Sequence, residues 1–190
     1  MGIDPQAAAT LAAAQEQVRA AWVQAYGAIA GIFAAVLIPL GVYVAQRRAD
    51  DFKAATRARD IALMISADIS SWRAAADPHF EQLSSQGGLG EAMVIRSILD
   101  FEMLTRIPVG LRDRIPNLHE LGRAARPVQS LVARYNDLVA AIPEMRRYAD
   151  GNGMSEEQRV AARALHTNTL VAFFSALQKA DRSIADLLKH

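Results

Sequence analysis

Four histidines, His79, His119, His166 and His190, are the residues best suited to metal or acid–base chemistry, and their spacing argues against both. No two lie three or four residues apart, and none follows a glutamate by three positions, so the inward Glu-x-x-His pattern of di-metal helical proteins is missing. His166 stands beside Thr167, Asn168 and Thr169 at the edge of an apolar stripe, which predicts a partly buried ring with a hydrogen-bond partner. Asp150-Gly151-Asn152-Gly153 begins like a calcium loop. Ser155 and Ala161, however, occupy the positions where that loop needs glycine and a bidentate glutamate. Gly87-Gly88-Leu89-Gly90 would offer backbone amides to an anion, but it follows no strand and no Lys-Ser/Thr pair completes it, so a flexible interhelical loop is expected. The carboxylate pairs Asp50-Asp51, Asp100-x-Glu102 and Glu156-Glu157 fall on helix surfaces or at a helix start, where negative charge is favourable anyway. There is no Gly-x-Ser-x-Gly elbow and no Rossmann glycine pattern. With no cysteine, thiolate chemistry and disulfides are excluded. No catalytic, cofactor-binding or metal residue is assigned.

The residues with a physical task lie nearer the N-terminus. Between Ala20 and Gln46 there is no Asp, Glu, Lys or Arg, and 21 of the 27 positions are apolar. Its centre, Ala25 to Ala45, makes about 31 Å of helix, against a bilayer hydrocarbon core of about 30 Å. Trp22 and Tyr26 flank one end and Tyr43 the other, where amphipathic rings favour the headgroup boundary. The run is too long for a signal peptide, and Arg47 and Arg48 follow where a cleavage site should lie. Arg47, Arg48 and Lys53, followed by Arg57 and Arg59, outnumber the single Arg19 on the other flank. The positive-inside rule therefore predicts a cytoplasmic C-terminal part and an N-terminus outside. Anionic headgroups stabilise each cation held near them by about 1 kcal/mol. Gly27, Gly31 and Ala35 recur every four residues, the small-residue stripe that lets membrane helices approach and self-associate. Pro39 frees the carbonyl of Ala35 and predicts a bend.

The segment Trp22 to Gln46, with Trp22, Gln24, Ala25 and Gly27 at its start, resembles the anchors of uncharacterised bacterial single-pass inner-membrane proteins. The resemblance covers about 25 residues. It implies a bacterial inner-membrane setting and brings no functional residues with it. The preference for Arg (18) over Lys (3) and the high alanine content fit a GC-rich genome.

Outside the uncharged stretch the remaining residues are about 48% apolar and about 25% charged, the balance of a soluble globular domain. The net charge of +1 gives no reason to propose nucleic acid. Asp4-Pro5 is a helix-start signal for an alanine-rich tail. After the anchor, Phe52, Ala55, Ala62, Ile65, Ile69, Trp72 and Ala76 follow helical spacing. No Gly or Pro interrupts residues 42–76, so one rod could continue to Asp77-Pro78, where an interruption is expected before Ser84-Ser85-Gln86-Gly87-Gly88 breaks the chain. A second helix is predicted from Glu91 to Arg106, ended by Ile107-Pro108, with Val94, Ile98 and Phe101 on one side and Ile95 and Leu99 beside them. Residues 107–116 read as a solvated loop or short helix. Asn117 and Glu120 have capping-box spacing, and a long apolar stripe runs from Leu118 through Val128, Leu131, Tyr135 and Leu138 to Met145. Pro127 is expected to kink that helix and Pro143 to bend or end it. After the Asp150–Gly153 turn, Ser155 and Gln158 form a second capping-box candidate. The last helix then offers Val160, Ala164, Thr167, Leu170, Phe174, Leu177, Ile184 and Leu188 to a core.

These readings predict an all-α chain: a short extracytoplasmic tail (1–21), one transmembrane helix (22–46) and a cytoplasmic antiparallel bundle of about four helices (47–190). The expected function is non-enzymatic, with the lipid bilayer and another protein, or a second copy of the chain, as partners. A membrane-coupled sensor and an enzyme or binder of a hydrophobic small molecule are the alternatives.

Overall fold

The computed structural model describes residues 5–85, 89–151 and 153–189, and no strand occurs among them. In order, the elements are α1 (Pro5–Ser85), α2 (Leu89–Asp100), α3 (Glu102–Thr105), α4 (Val109–Arg114), a 3-10 segment (Ile115–Ala124), α5 (Ala125–Asp150) and α6 (Glu156–Lys189). Asp4, residues 86–88, Asn152 and His190 lie outside the described residues. The Asp4 cap, the anion-loop reading at Gly87-Gly88 and the centre of the Asp150–Gly153 turn are therefore not described.

The chain divides into two units, Met1–Phe52 and Lys53–His190. In the first, every described side chain from residue 13 onward is exposed, including Trp22, Ile32, Phe33, Leu37 and Tyr43. Among the described residues, α1 is the one helix long and apolar enough to cross a membrane.

The second unit has a conventional interior. On α1 the buried stripe is Ala58, Ile61, Ala62, Ile65, Ile69, Trp72, Ala76 and Leu83. Phe52 and Ala55 are exposed, so the core-facing stripe starts later than the spacing predicted. Trp72 is fully buried and meets Tyr135 and Phe173 edge-on, with ring centroids 5.5 and 5.2 Å away. Arg73 donates to Asp181 at 2.7 Å and Ser70 donates to the same carboxylate at 2.8 Å, while Phe80 meets Phe174 at 5.4 Å.

Proline positions account for most departures from the predicted boundaries. α1 runs through Pro78 to Ser85 instead of breaking at Asp77-Pro78. Pro78 and Ala74, whose carbonyl it frees, are both exposed, so water can take the missing partner's place. α5 passes Pro143 in the same way, with Pro143 and Val139 exposed. Pro127 kinks nothing. It is the third residue of α5, where a missing amide hydrogen has no helical acceptor to lose. The break falls earlier, at Gly122, whose φ of 56° kinks the 3-10 segment from within. Asn117 lies inside that segment, and no side chain caps its start.

The second predicted helix is divided at Phe101, which is extended at φ −91° and ψ 99° and exposed, unlike Val94 and Ile98, with which its spacing groups it. The Tyr135 hydroxyl donates to the Thr105 carbonyl and accepts from the Ile107 amide, both at 3.1 Å, and so holds the stretch between α3 and α4 against α5. Gly151 closes α5 in the left-handed region at φ 68°. The Ser155–Gln158 capping box forms in both directions, at 3.0 and 3.3 Å.

Candidate functional site

The first turn of α2 carries Glu91, one helical step before Val94, Ile95 and Ile98 on the same face. Their burial takes the carboxylate inside with them, and only 3% of Glu91 remains exposed. A buried charge must be paired, and α6 supplies both partners. Arg163 Nε lies 2.8 Å from Glu91 Oε2, and the Thr167 hydroxyl donates to Glu91 Oε1. The start of α2 adds its positive dipole end. Arg163 keeps nearly half of its side chain in solvent, so the pair is buried on one side and wet on the other.

His166 is fully buried beside this pair, and neither ring nitrogen has a hydrogen-bond partner among the described residues. The half-buried, hydrogen-bonded ring that the sequence predicts is therefore not found. The ring meets Tyr148 of α5 edge-on at 5.5 Å and 80°. Burial holds the imidazole below its ordinary value, and Glu144 and Glu91 oppose the shift without overcoming it. Burial, reinforced by Glu91, raises the Tyr148 phenol. A shallow surface cavity of about 300 Å³ opens next to the pair, lined by Tyr148, Gly151, Glu156, Arg159 and Arg163 among others. Arg159 donates to the Gly151 carbonyl at 3.2 Å. Chemically, this arrangement holds one charge pair and one neutral ring where helices α2, α5 and α6 meet.

The other histidines are elsewhere. His79 of α1 lies 3.5 Å from the Ser97 hydroxyl of α2, against Phe101, and burial lowers its affinity for a proton. His119 lies 3.1 Å from the Pro116 carbonyl at the surface. Among the described residues no three His, Asp or Glu side chains converge to hold a metal ion. Asp50, Asp51, Asp100, Glu102, Glu156 and Glu157 are exposed, and Glu102 pairs with Arg106.

Gly27, Gly31 and Ala35 share one exposed stripe of α1, and a Cβ added at either glycine would meet nothing within 4 Å. Arg47, Arg48 and Lys53 are exposed as well. A second open cavity, about 560 Å³, lies over the α3–α4 connection, and Met103, Ile107, Pro108, Val109, Tyr135, Arg106 and Arg112 are among the residues that line it. No protein-family model, curated protein or solved structure matches the chain.

Glu91, Arg163 and Tyr148 belong to no local sequence motif. Glu91 had a readable signal: a carboxylate at the first position of an i, i+3, i+4, i+7 apolar set must be buried along with it. His166 likewise falls on the stripe Ala162, His166, Leu170, Phe173, Leu177.

Proposed function

We propose that the chain is a non-enzymatic, single-pass protein of the bacterial inner membrane. Its N-terminus lies outside, and its cytoplasmic helices form an antiparallel bundle that binds another protein or a second copy of the chain. The main support is α1 itself, where residues 20–46 contain no charge and bury no side chain. In water such a surface is strongly unfavourable, at about 25 cal/mol per Å² of apolar area left wet, whereas hydrocarbon is its matching solvent. Arg47, Arg48 and Lys53 support the orientation by their charge. The antiparallel arrangement is supported by pairs that ascend α1 while descending α6, with Asp181 beside Ser70 and Phe174 beside Phe80. Exposed Met103 and Val109 over the α3–α4 cavity support protein contact there, and the Gly27, Gly31, Ala35 stripe supports contact between copies in the bilayer.

The absence of cysteine makes the test direct. Single-cysteine variants Gln15→Cys and Ser130→Cys are treated with a membrane-impermeant maleimide in intact cells. Labelling at position 15 alone is expected, with position 130 labelled only after lysis. Extraction of the whole chain by alkaline carbonate would end the membrane reading. A photo-cross-linker in place of Val109 should give a discrete adduct in membranes, and its absence at both Met103 and Val109 would remove the α3–α4 surface as the contact.

A further inference from the structure

The interior of the second unit contains one buried ionisable ring with no hydrogen-bond partner among the described residues, within electrostatic reach of the only buried carboxylate among them, Glu91. We propose that His166 is an acid-operated latch, whose protonation parts the first turn of α2 from α5 and α6. The geometry supplies the mechanism. A neutral ring packs fully buried and edge-on against Tyr148. A protonated ring carries two N–H donors into the same space, where neither nitrogen has an acceptor within hydrogen-bond distance among the described residues. The nearest negative charge on α2 is Glu91, already held by Arg163 and Thr167. An imidazolium therefore either draws Glu91 off those partners or leaves for water, and both outcomes open the seam between α2 and α6. The charged and titratable groups facing the ring are Glu91 on α2, Glu144 and Tyr148 on α5, and Arg163 on α6 itself. On α1, His79 faces Ser97 instead, six residues further along α2. Opening uncovers Val94, Ile95 and Ile98.

The direction follows from linkage. The closed ring takes up a proton less readily than the exposed ring, so closure is fully supported above about pH 6.5 and weakens as pH falls below it. One proton per opening gives up to about a tenfold rise in the open population for each pH unit in that window.

Backbone hydrogen exchange of the full chain in phospholipid nanodiscs, at pH 7.5 and 5.5 and corrected for the intrinsic pH dependence of exchange, reads this population. Protection in residues 90–95 and 160–168 should fall up to about tenfold at the lower pH while residues 173–184 are unchanged, since the change spans one unit of the sensitive window. His166→Leu should remove the pH response and His79→Gln should retain it. Unchanged protection in the native chain, a response surviving in His166→Leu, or one abolished by His79→Gln would each overturn the latch. Should His166→Leu fail to fold, the ring of the native chain is titrated by carbon NMR. A midpoint below 6.5 that tracks the exchange supports the latch, and one at or above 6.5 refutes it.

Discussion

Residues 20–46 and residues 58–83 belong to the same helix and are both rich in large apolar side chains, yet the first stretch buries none of them and the second buries five, Ile61, Ile65, Ile69, Trp72 and Leu83. The difference lies in the angular distribution of charge. In the second stretch Asp60, Arg73 and Asp77 leave one side free of charge, and that side is covered by α5 and α6. In the first there is no charge on any side, and every side chain is exposed. A helix that is apolar all round calls for an apolar medium, whereas a striped one calls for other helices. Hydrophobic content alone would have equated the two.

The largest effect that should separate the two stretches is the loss of an indole. Trp72→Ala removes a fully buried ring from between Tyr135 and Phe173, at a cost of about 3–5 kcal/mol. Calorimetry of the detergent-solubilised chain should then show a melting temperature lower by about 10 °C or more. Trp22→Ala, at a residue 58% exposed, should leave that transition in place. Equal shifts for the two would erase the distinction.

Next is a charge in the uncharged stretch. Val36→Arg opposes insertion by about 2.5–3.5 kcal/mol and should lower the carbonate-resistant membrane fraction. Met93→Arg, at a side chain 76% exposed in the second unit, should not change that fraction.

A smaller contrast sharpens the picture inside the second unit. Arg163→Met leaves the Glu91 carboxylate buried with Thr167 alone, costing about 1–3 kcal/mol in urea denaturation. Arg96→Met breaks a pair with Asp150 that is exposed on both sides, and the cost should stay below about 0.5 kcal/mol. Smallest is the helix cap. Ser155→Ala removes one side of a formed capping box and should cost about 1 kcal/mol, whereas Asn117→Ala should change stability by less than about 0.5 kcal/mol.

The helical class and most of the core stripe along the 3-10 segment and α5 were readable because period and length suffice for them. Leu118, Leu121, Val128, Leu131, Leu138 and Met145 are all buried as their spacing predicts. Boundaries at proline were not, because a proline's effect depends on whether the carbonyl it frees reaches water, and spacing does not tell which side of the helix is wet. On α6, Leu170, Phe174, Leu177 and Ile184 are buried as their spacing predicts, whereas Val160 and Ala164 are exposed and Ala162 and His166 take the inward positions there. The Glu91, Arg163 and Thr167 cluster joins side chains 72 to 76 positions apart, and no local pattern reports such convergence.

The pairing of Ser70 and Arg73 with Asp181 spans 108 to 111 positions of sequence, which has a consequence for the order of events at the ribosome. Trp72 and its neighbours are synthesised long before Phe173 and Asp181. At about 5–20 residues per second, the greasy side of α1 waits on the order of 5–20 s for the segment that shelters it. During that interval the nascent chain presents Ile65, Ile69 and Trp72 to whatever is nearby, so chaperone demand should peak before the last helix emerges.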